Sequence, residues 1–541
     1  MSLKNKLTAL LADAARMCES CSEASELGQK ISELSNRVDQ PLRVAVVGIM
    51  KAGKSTLMNA LVKDKLVFTG NVETTYTVSW FKYGEKPSLR IIFRQSEQDK
   101  KLGKKPESLT ASFEDLEKWT VRLKAKENPR IKDVAYIEIY YPNEILKTLE
   151  LIDTPGLNSS YNLDAKNTLD FLGVKAISEE EAKELDRITK KEASLADAII
   201  YAFTRSAGES DQQLLSQFHG SSLENSSPIN ALGVYTRSDF SWEPDSGLSA
   251  IEITRRITDK TMQHPDMKRL LYATLPVSAL PVEGLVSLTE AEWNYLQGLT
   301  ALDKYGLIDL IENVGTFTEK KQDEFTDSEI KKVAGTPEFR KNLESKIGVY
   351  GIFEMVNFLK QGMTKEEVLE NLYSATGVKA VNDLIVSHFG NRSFIIKAQF
   401  IFLALKNHCA KLLLQSEDKS LREVCKYLLD EIDHIETTEH VFQELKILQN
   451  YYNQLFKFND EAEYQEFLQV TGEMGKHCEA KLGLKSPLQV AEMANIAKNK
   501  IRQWYARGNE FGVSGKYEHA AGVIARSYEI IHYHLDELSG N

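Results

Sequence analysis

Cysteine is scarce: five thiols in 541 residues, Cys18, Cys21, Cys409, Cys425 and Cys478, are too few for a disulfide framework and suit a reducing compartment. Cys18 and Cys21 make a single CxxC with no second pair to complete a zinc site. His408-Cys409 and His477-Cys478 lack ligand spacing, so no metal cluster is expected from them. Long apolar runs are missing as well. The best candidate, FIIKAQFIFLAL from Phe394 to Leu405, contains Lys397 and falls far short of the roughly 20 residues that a membrane span requires. The opening MSLKNKLTALLADAARMC is interrupted by Asp13 and patterned as a helix, which does not make a signal peptide. A cytoplasmic chain is expected, at most peripheral to a membrane. Basic blocks are also absent: 67 Lys and Arg stand against 78 Asp and Glu, a net charge of −11, which argues against nucleic acid as the main partner.

What is present is a globular composition, 42% hydrophobic with 13 prolines, long enough for several domains. Over residues 1–40, Ala24, Leu27, Ile31, Leu34 and Val38 step by three and four, the spacing of one helical face, up to Pro41. From 41 to 300 short apolar runs alternate with amphipathic stretches: RVAVVG, LRIIF, AYIEIYY, LELID, AIIYAF, ALGVYT and TLPVSA. That alternation predicts one α/β domain, a mostly parallel sheet with helices on both faces. Gln95 to Ser108, charged and poor in strand formers, reads as a solvated loop. Beyond 300, helical spacing dominates to residue 541. Leu421, Val424, Cys425, Leu428, Leu429, Ile432 and Ile435 form one stripe, and Val441, Leu445, Leu448, Tyr452 and Leu455 form another, which predicts a helical bundle with which the 1–40 segment packs.

The chemistry begins at GIMKAGKS, residues Gly48, Ile49, Met50, Lys51, Ala52, Gly53, Lys54 and Ser55, followed by Thr56. It fits G-x-x-x-x-G-K-[ST] and lies between a strand and a helix, the context that makes a phosphate loop. Glycines let backbone N–H groups turn toward phosphate, and the next helix offers its positive end. Lys54 would reach the β- and γ-phosphates and the Ser55 hydroxyl would ligate Mg²⁺. Downstream, LELIDTPG ends a strand with Asp153, placed to hold Mg²⁺ through water, and Gly156 could offer its N–H to the γ-phosphate. Between them, ETTYTVSWFKYG would supply a metal-binding threonine, Thr75, with Thr74 the alternate; the competing reading is a Thr-rich strand edge. LGVYTRSD brings Thr236, Arg237 and Asp239, whose carboxylate can accept from guanine N1–H and N2–H₂. Ser278 and Ala279 of LPVSAL close over the base. Order and spacing indicate GTP as the nucleotide.

These segments, with LADAIIYAF, resemble the dynamin-like GTPases, especially the bacterial dynamin-like proteins. The likeness is specific over about 40–285 and architectural beyond, where SATGVKAVNDLIVSHFGNRSFIIKA is similar to the helix that returns the chain to the stalk. The narrower resemblance is to the enterotoxin-output branch. It implies GTP hydrolysis controlled by self-association through the GTPase face, and helices that transmit the change to a lipid membrane. A second dynamin-like partner chain is a further implied possibility. Arg237 departs from the family's usual lysine, and no hydrophobic paddle is visible.

DTPGLN is not followed by a water-positioning glutamine, so the attacking water must be ordered otherwise. Lys51 stands where some dynamin-related enzymes place an arginine finger in cis and others a group that helps to hold a monovalent cation. The alternative is that it points to solvent until dimerisation. Two other functions share the motifs: a soluble regulatory GTPase of the ribosome-assembly type, and an interaction scaffold whose nucleotide site hydrolyses slowly or not at all.

Overall fold

The computed structural model describes residues 2–48, 51–64, 66, 78–95, 104–120, 129–154, 196–205, 212, 215, 228–486 and 488–539. Its chain divides into two compact units: Met1–Leu42 with Ser227–Asn230 and Ile385–Asn541, and Arg43–Ser226 with Ala231–Leu384.

The second unit is built on a mixed nine-stranded sheet of β1 (Leu42–Gly48), β2 (Val78–Tyr83), β3 (Ser88–Phe93), β4 (Ser108–Ala111), β5 (Val134–Tyr141), β6 (Leu149–Asp153), β7 (Ala198–Phe203), β8 (Ala231–Tyr235) and β9 (Ala273–Pro276). The spatial order is β4-β3-β5-β2-β6-β1-β7-β8-β9. From β1 to β9 pairing is parallel. β6, β7 and β8 are buried at every position, which is why they read as unbroken apolar runs. On the other flank β2 pairs parallel with β5 but antiparallel with β6, and β3 is antiparallel to both β4 and β5. The connections 84–87 and 142–148 are too short for a crossover helix, so the chain reverses direction at each. β2 and β4 were not among the runs read as strands.

Charge crosses this flank in alternation. Arg90 on β3 lies 3.6 Å from Glu138 on β5, which lies 2.6 Å from Lys82 on β2. Lys82 is 3.8 Å from Glu150 on β6, and Glu150 is 3.5 Å from Arg43 on β1. Arg43 and Lys82 also lie over the Trp80 ring. Glu138 and Glu150 are buried, and such burial is tolerable only with cations alongside.

The unit continues after β9 through helices that include Leu280–Val286 and Pro337–Lys360. These two cross so closely that a Cβ on Gly284 would lie 2.2 Å from the Lys346 carbonyl oxygen. At the crossing Gly348 takes φ 67°, and the longer helix kinks there. No strand follows Pro276 among the described residues.

The other unit is helical. The expected single N-terminal helix is two, Leu3–Glu19 and Ser25–Arg37. Ser20, Ser22 and Ser25 surround the break, and the Ser20 hydroxyl donates to the Met17 carbonyl, competing with helix continuation. Leu27, Ile31, Leu34 and Val38 are buried. The buried Lys397 ammonium, on the helix Asn391–Gln415, donates to the carbonyls of Val38 and Gln40, so the lysine inside the most apolar run caps the end of the N-terminal pair. Leu421, Val424, Cys425, Leu428, Ile432 and Ile435 are buried in the helix Lys419–Thr438, with Leu429 at the margin. In the second stripe Leu445, Leu448 and Tyr452 are buried, Val441 is half-buried, and Leu455 is exposed because the helix ends at Tyr452. Cys18, Cys21, Cys409 and Cys425 are buried as small apolar groups, and burial pushes the Cys18 thiol up to about 11. A π-helical turn, Ile385–Gly390, opens the C-terminal part of this unit.

Candidate nucleotide-binding site

β1 ends where its neighbour presses closest. A Cβ on Gly48 would meet the Ala202 carbonyl oxygen at 2.2 Å, so only glycine fits. Ile49 and Met50 lie outside the described residues. Lys51 and Gly53 then take left-handed backbone, φ 61° and 74°, and turn the chain into the helix Lys54–Val62. Left-handed φ costs a glycine nothing and a lysine about 1 kcal/mol or more. The Lys51 side chain is exposed. Ala52 and Lys54 are buried, with Lys54 Nζ 3.3 Å from the Gly48 carbonyl oxygen, and Thr56 is half-buried in the first turn of the helix.

Ser55 Oγ donates to Asp153 Oδ2 at 3.0 Å. Asp153, at the end of β6, is fully buried, and burial pushes its carboxyl up to about 6 against the opposing pull of the Lys54 ammonium and the Ser55 hydroxyl. Its Oδ1 is a buried oxygen without a hydrogen-bond partner among the described residues. A carboxylate oxygen, a hydroxyl and a nearby ammonium in one buried corner fit a hard divalent cation beside phosphate. Thr75, its alternate Thr74, and Gly156 lie outside the described residues.

Thr236 follows β8, with its hydroxyl oxygen 2.6 Å from the Ala52 carbonyl and 3.1 Å from that of Phe203. The GIMKAGKS segment and the TRSD segment are thereby hydrogen-bonded to each other. Arg237 is exposed with φ 57°. Asp239 Oδ1 accepts from Ser278 Oγ at 2.8 Å, and Ser238 N donates to the Val277 carbonyl at 3.1 Å, which ties the TRSD turn to the VSAL loop. Burial holds the Asp239 carboxyl above its ordinary range, opposed chiefly by the Ser278 hydroxyl. Ser278 and Ala279 are buried, and Ala279 caps the helix Leu280–Val286.

The structure thus brings Gly48, Lys54, Ser55 and Asp153 together at one end of the sheet, and Thr236 joins them to the turn of Arg237, Asp239 and Ser278. Three contributors escaped sequence reasoning. The Thr154 hydroxyl donates to the Val46 carbonyl at 2.8 Å and pins the chain after Asp153 to β1. Asn59 Nδ2 donates to Glu283 at 2.9 Å, bonding the phosphate-loop helix to the helix after VSAL. Trp242 packs on Tyr350 and Phe353 at 5.4 and 4.8 Å and anchors the base turn from behind. The only sequence signal was position: Thr154 and Trp242 adjoin motifs.

Residues 44–236 match the model of the Dynamin family. The isoniazid-induced protein IniC of Mycobacterium tuberculosis is 25% identical over 481 residues, spanning 88% of this chain and 87% of its own length. A bacterial dynamin-like protein of Nostoc punctiforme is 29% identical over 177 residues, 30% of this chain and 24% of that protein. Dynamin-like protein 2 of Campylobacter jejuni is 27% identical over 165 residues, 29% of this chain and 24% of that one. A solved structure of an oligomerised bacterial dynamin pair, described as sensing and tethering membranes, matches 99% of this chain and 76% of its own, at 14% identity and a TM-score of 0.30. On the family match, residues 44–236 carry a dynamin-family GTPase domain, in a chain similar to the bacterial dynamin-like proteins.

Proposed function

We propose that this chain binds GTP with Mg²⁺, hydrolyses it faster when two copies meet through the GTPase face, and passes the change to its helices at a membrane surface. The observation that carries the reading is the buried corner of Lys54, Ser55 and Asp153, with one Asp153 oxygen lacking a hydrogen-bond partner among the described residues. Ser55 and Asp153 would hold the metal, with Thr75 as the third group, and bound Mg²⁺ supplies charge neutralisation on the phosphate oxygens. Lys54 binds the β- and γ-phosphates, and the N-terminal end of its helix adds to the attraction. The Gly156 N–H would orient the γ-phosphate. Asp239 selects guanine by accepting from N1–H and N2–H₂, while Ser278 fixes the carboxylate's rotation. Lys51, exposed and held in left-handed backbone, has a side chain free to reach charge that develops during phosphoryl transfer, alone or with a monovalent cation.

Among the described residues no helix is long and apolar enough to cross a membrane, and the membrane role proposed is a peripheral one. A second dynamin-like chain is an alternative to self-pairing.

GTP turnover measured against protein concentration tests the proposal. Specific activity should rise with concentration, and Lys51→Ala should flatten that rise with nucleotide affinity nearly unchanged. Lys54→Ala should abolish GTP binding, and normal affinity in that variant would refute the phosphate-loop assignment. Co-sedimentation with liposomes should require GTP or a non-hydrolysable analogue. Tight unhydrolysed nucleotide without pelleting would leave the scaffold reading, and retention of RNA the regulatory one.

A further inference from the structure

We propose that Phe240 is a positioning residue for the nucleotide base: its ring holds the Arg237 guanidinium flat, and the guanidinium's other face is the platform on which a purine stacks. The inference rests on the assignment of Thr236 to Asp239 as the base-binding segment.

The Arg237 guanidinium carbon lies 5.4 Å from the centroid of the Phe240 ring, within cation–π range. The pairing is built into the backbone. Phe240 N donates to the Arg237 carbonyl at 3.1 Å, closing a turn that Arg237 enters in left-handed backbone, φ 57° and ψ 39°. Such a conformation is disfavoured for arginine and is retained here in a turn anchored on three sides: Thr236 on Ala52, Asp239 on Ser278, and Trp242 on Tyr350 and Phe353.

Two further facts point outward. Phe240 is 75% exposed, so burial in its own unit does not account for it. Arg237 forms no ion pair among the described residues, which leaves the guanidinium plane to be used for stacking. An arginine and a lysine do different work at such a position. Lysine offers a flexible stem and a point charge, whereas a guanidinium is a plate that stacks on both faces, provided something holds it flat. Phe240 supplies that hold. The arginine that departs from the family's usual lysine is therefore one half of an Arg–Phe pair.

Stacking senses the face of a ring and not its edge. Asp239 should decide guanine against adenine, while Arg237 and Phe240 together set how tightly any purine is held. In competition against a fluorescent guanine nucleotide with the full chain, Phe240→Ala should weaken GTP and ITP by the same factor, about two- to fivefold, the range of an exposed cation–π contact. Their ratio should stay unchanged. Arg237→Ala should cost at least as much, the double variant should be no worse than Arg237→Ala alone, and Phe240→Trp should restore parental affinity. Because Phe240 is exposed, its loss leaves the core intact. Parental affinity in Phe240→Ala, or a double variant equal to the product of the two singles, would overturn the proposal. So would a Phe240→Ala effect confined to the concentration dependence of turnover, since the ring would then serve self-association. If Lys54→Ala abolishes binding while Phe240→Ala does nothing, this inference alone fails. If Lys54→Ala still binds, the nucleotide-site reading beneath it fails as well.

Discussion

Replacing Arg392 by leucine should destabilise the helical unit by about 4 kcal/mol at pH 7 and only about 1 kcal/mol at pH 5, from the linkage between a buried charge and its proton. Arg392 is buried and donates to Glu473 Oε2 at 2.6 Å, to Thr471 Oγ1 at 2.8 Å and to His388 Nδ1 at 3.0 Å. On its other side His388 Nε2 donates to the Ile229 carbonyl at 2.6 Å. A guanidinium can only donate and a carbonyl only accept, which favours a neutral His388 with its proton on Nε2, its Nδ1 also lying 3.4 Å from Glu473 Oε2. Burial, reinforced by the Arg392 charge, holds its pKa below the ordinary 6.5, although Glu473 pulls the other way.

Leucine at 392 would take the guanidinium charge away from the buried Glu473 carboxylate, and the cluster offsets that loss by taking up one proton, on Glu473 or through His388. Protonating a glutamate of ordinary pKa at pH 7 costs about 3.7 kcal/mol, which caps the loss and lies within the usual 3–5 kcal/mol for breaking a buried pair. The unfolded chains titrate alike, so the folded variant carries one proton more than the folded parent. Its deficit must therefore shrink by about 1.4 kcal/mol for each pH unit of acidification. The parent runs the other way: unfolded His388 gains a proton as pH falls through 6.5 while folded His388 resists it, so the parent loses stability on acidification. Native-state hydrogen exchange of amides in Asn391–Gln415 at pH 7 and pH 5, corrected for intrinsic rates, reads both effects. A deficit that stays constant across that interval would refute the proton accounting.

Other outcomes follow from single contacts. Thr236→Val keeps the shape but leaves the Ala52 carbonyl without its hydroxyl donor, and should weaken GTP about tenfold, since a lost buried partner costs about 1–3 kcal/mol; Thr236→Ser should bind as the parent does in the same titration. Gly284→Ala forces a methyl to within 2.2 Å of the Lys346 carbonyl oxygen, a backbone atom that cannot swing aside. It should destabilise by about 3 kcal/mol, seen as a melting temperature lower by at least about 5 °C, and an unchanged melting curve would show that the two helices are free to separate.

The strands buried at every position, β6, β7 and β8, were all legible, because such a strand reads as an unbroken apolar run. β2 was legible only as the competing strand-edge reading of ETTYTVSWFKYG, and its polar residues explain why. Val78–Tyr83 carries Ser79 and Lys82 in a strand flanked by β5 and β6, a pattern that resembles a solvated segment until the partners of Lys82 are known. Those partners, Glu138 and Glu150, lie more than fifty residues away and are themselves disguised as surface charges. An alternation of sign across five strands is a property of strand order, and strand order is absent from any local window. The N-terminal helices show the same limit: their spacing was legible, but the break at Ser20 needed the serine hydroxyls to be seen competing for backbone.

In the candidate site the division falls between chemistry and scaffolding. The grouping of Lys54, Ser55 and Asp153, and the tie of Asp239 to Ser278, were legible because the phosphate, metal and base binding proposed for them would each demand a particular functional group at a particular strand end. Thr236 was legible as a member of the TRSD segment and Thr154 as a neighbour of Asp153, but the carbonyl to which each hydroxyl donates was not, since any threonine can donate to a carbonyl and only the fold says which one. Backbone strain was invisible in sequence altogether. Four described residues other than glycine have left-handed φ: Lys51, Lys63, Arg237 and Gln454. Two of them, Lys51 and Arg237, are the two cations of this site that the motifs did not require. Asparagine or glycine would occupy either position at lower cost. Both side chains are exposed, and retaining a long cation in disfavoured backbone at both points fits the roles proposed for them.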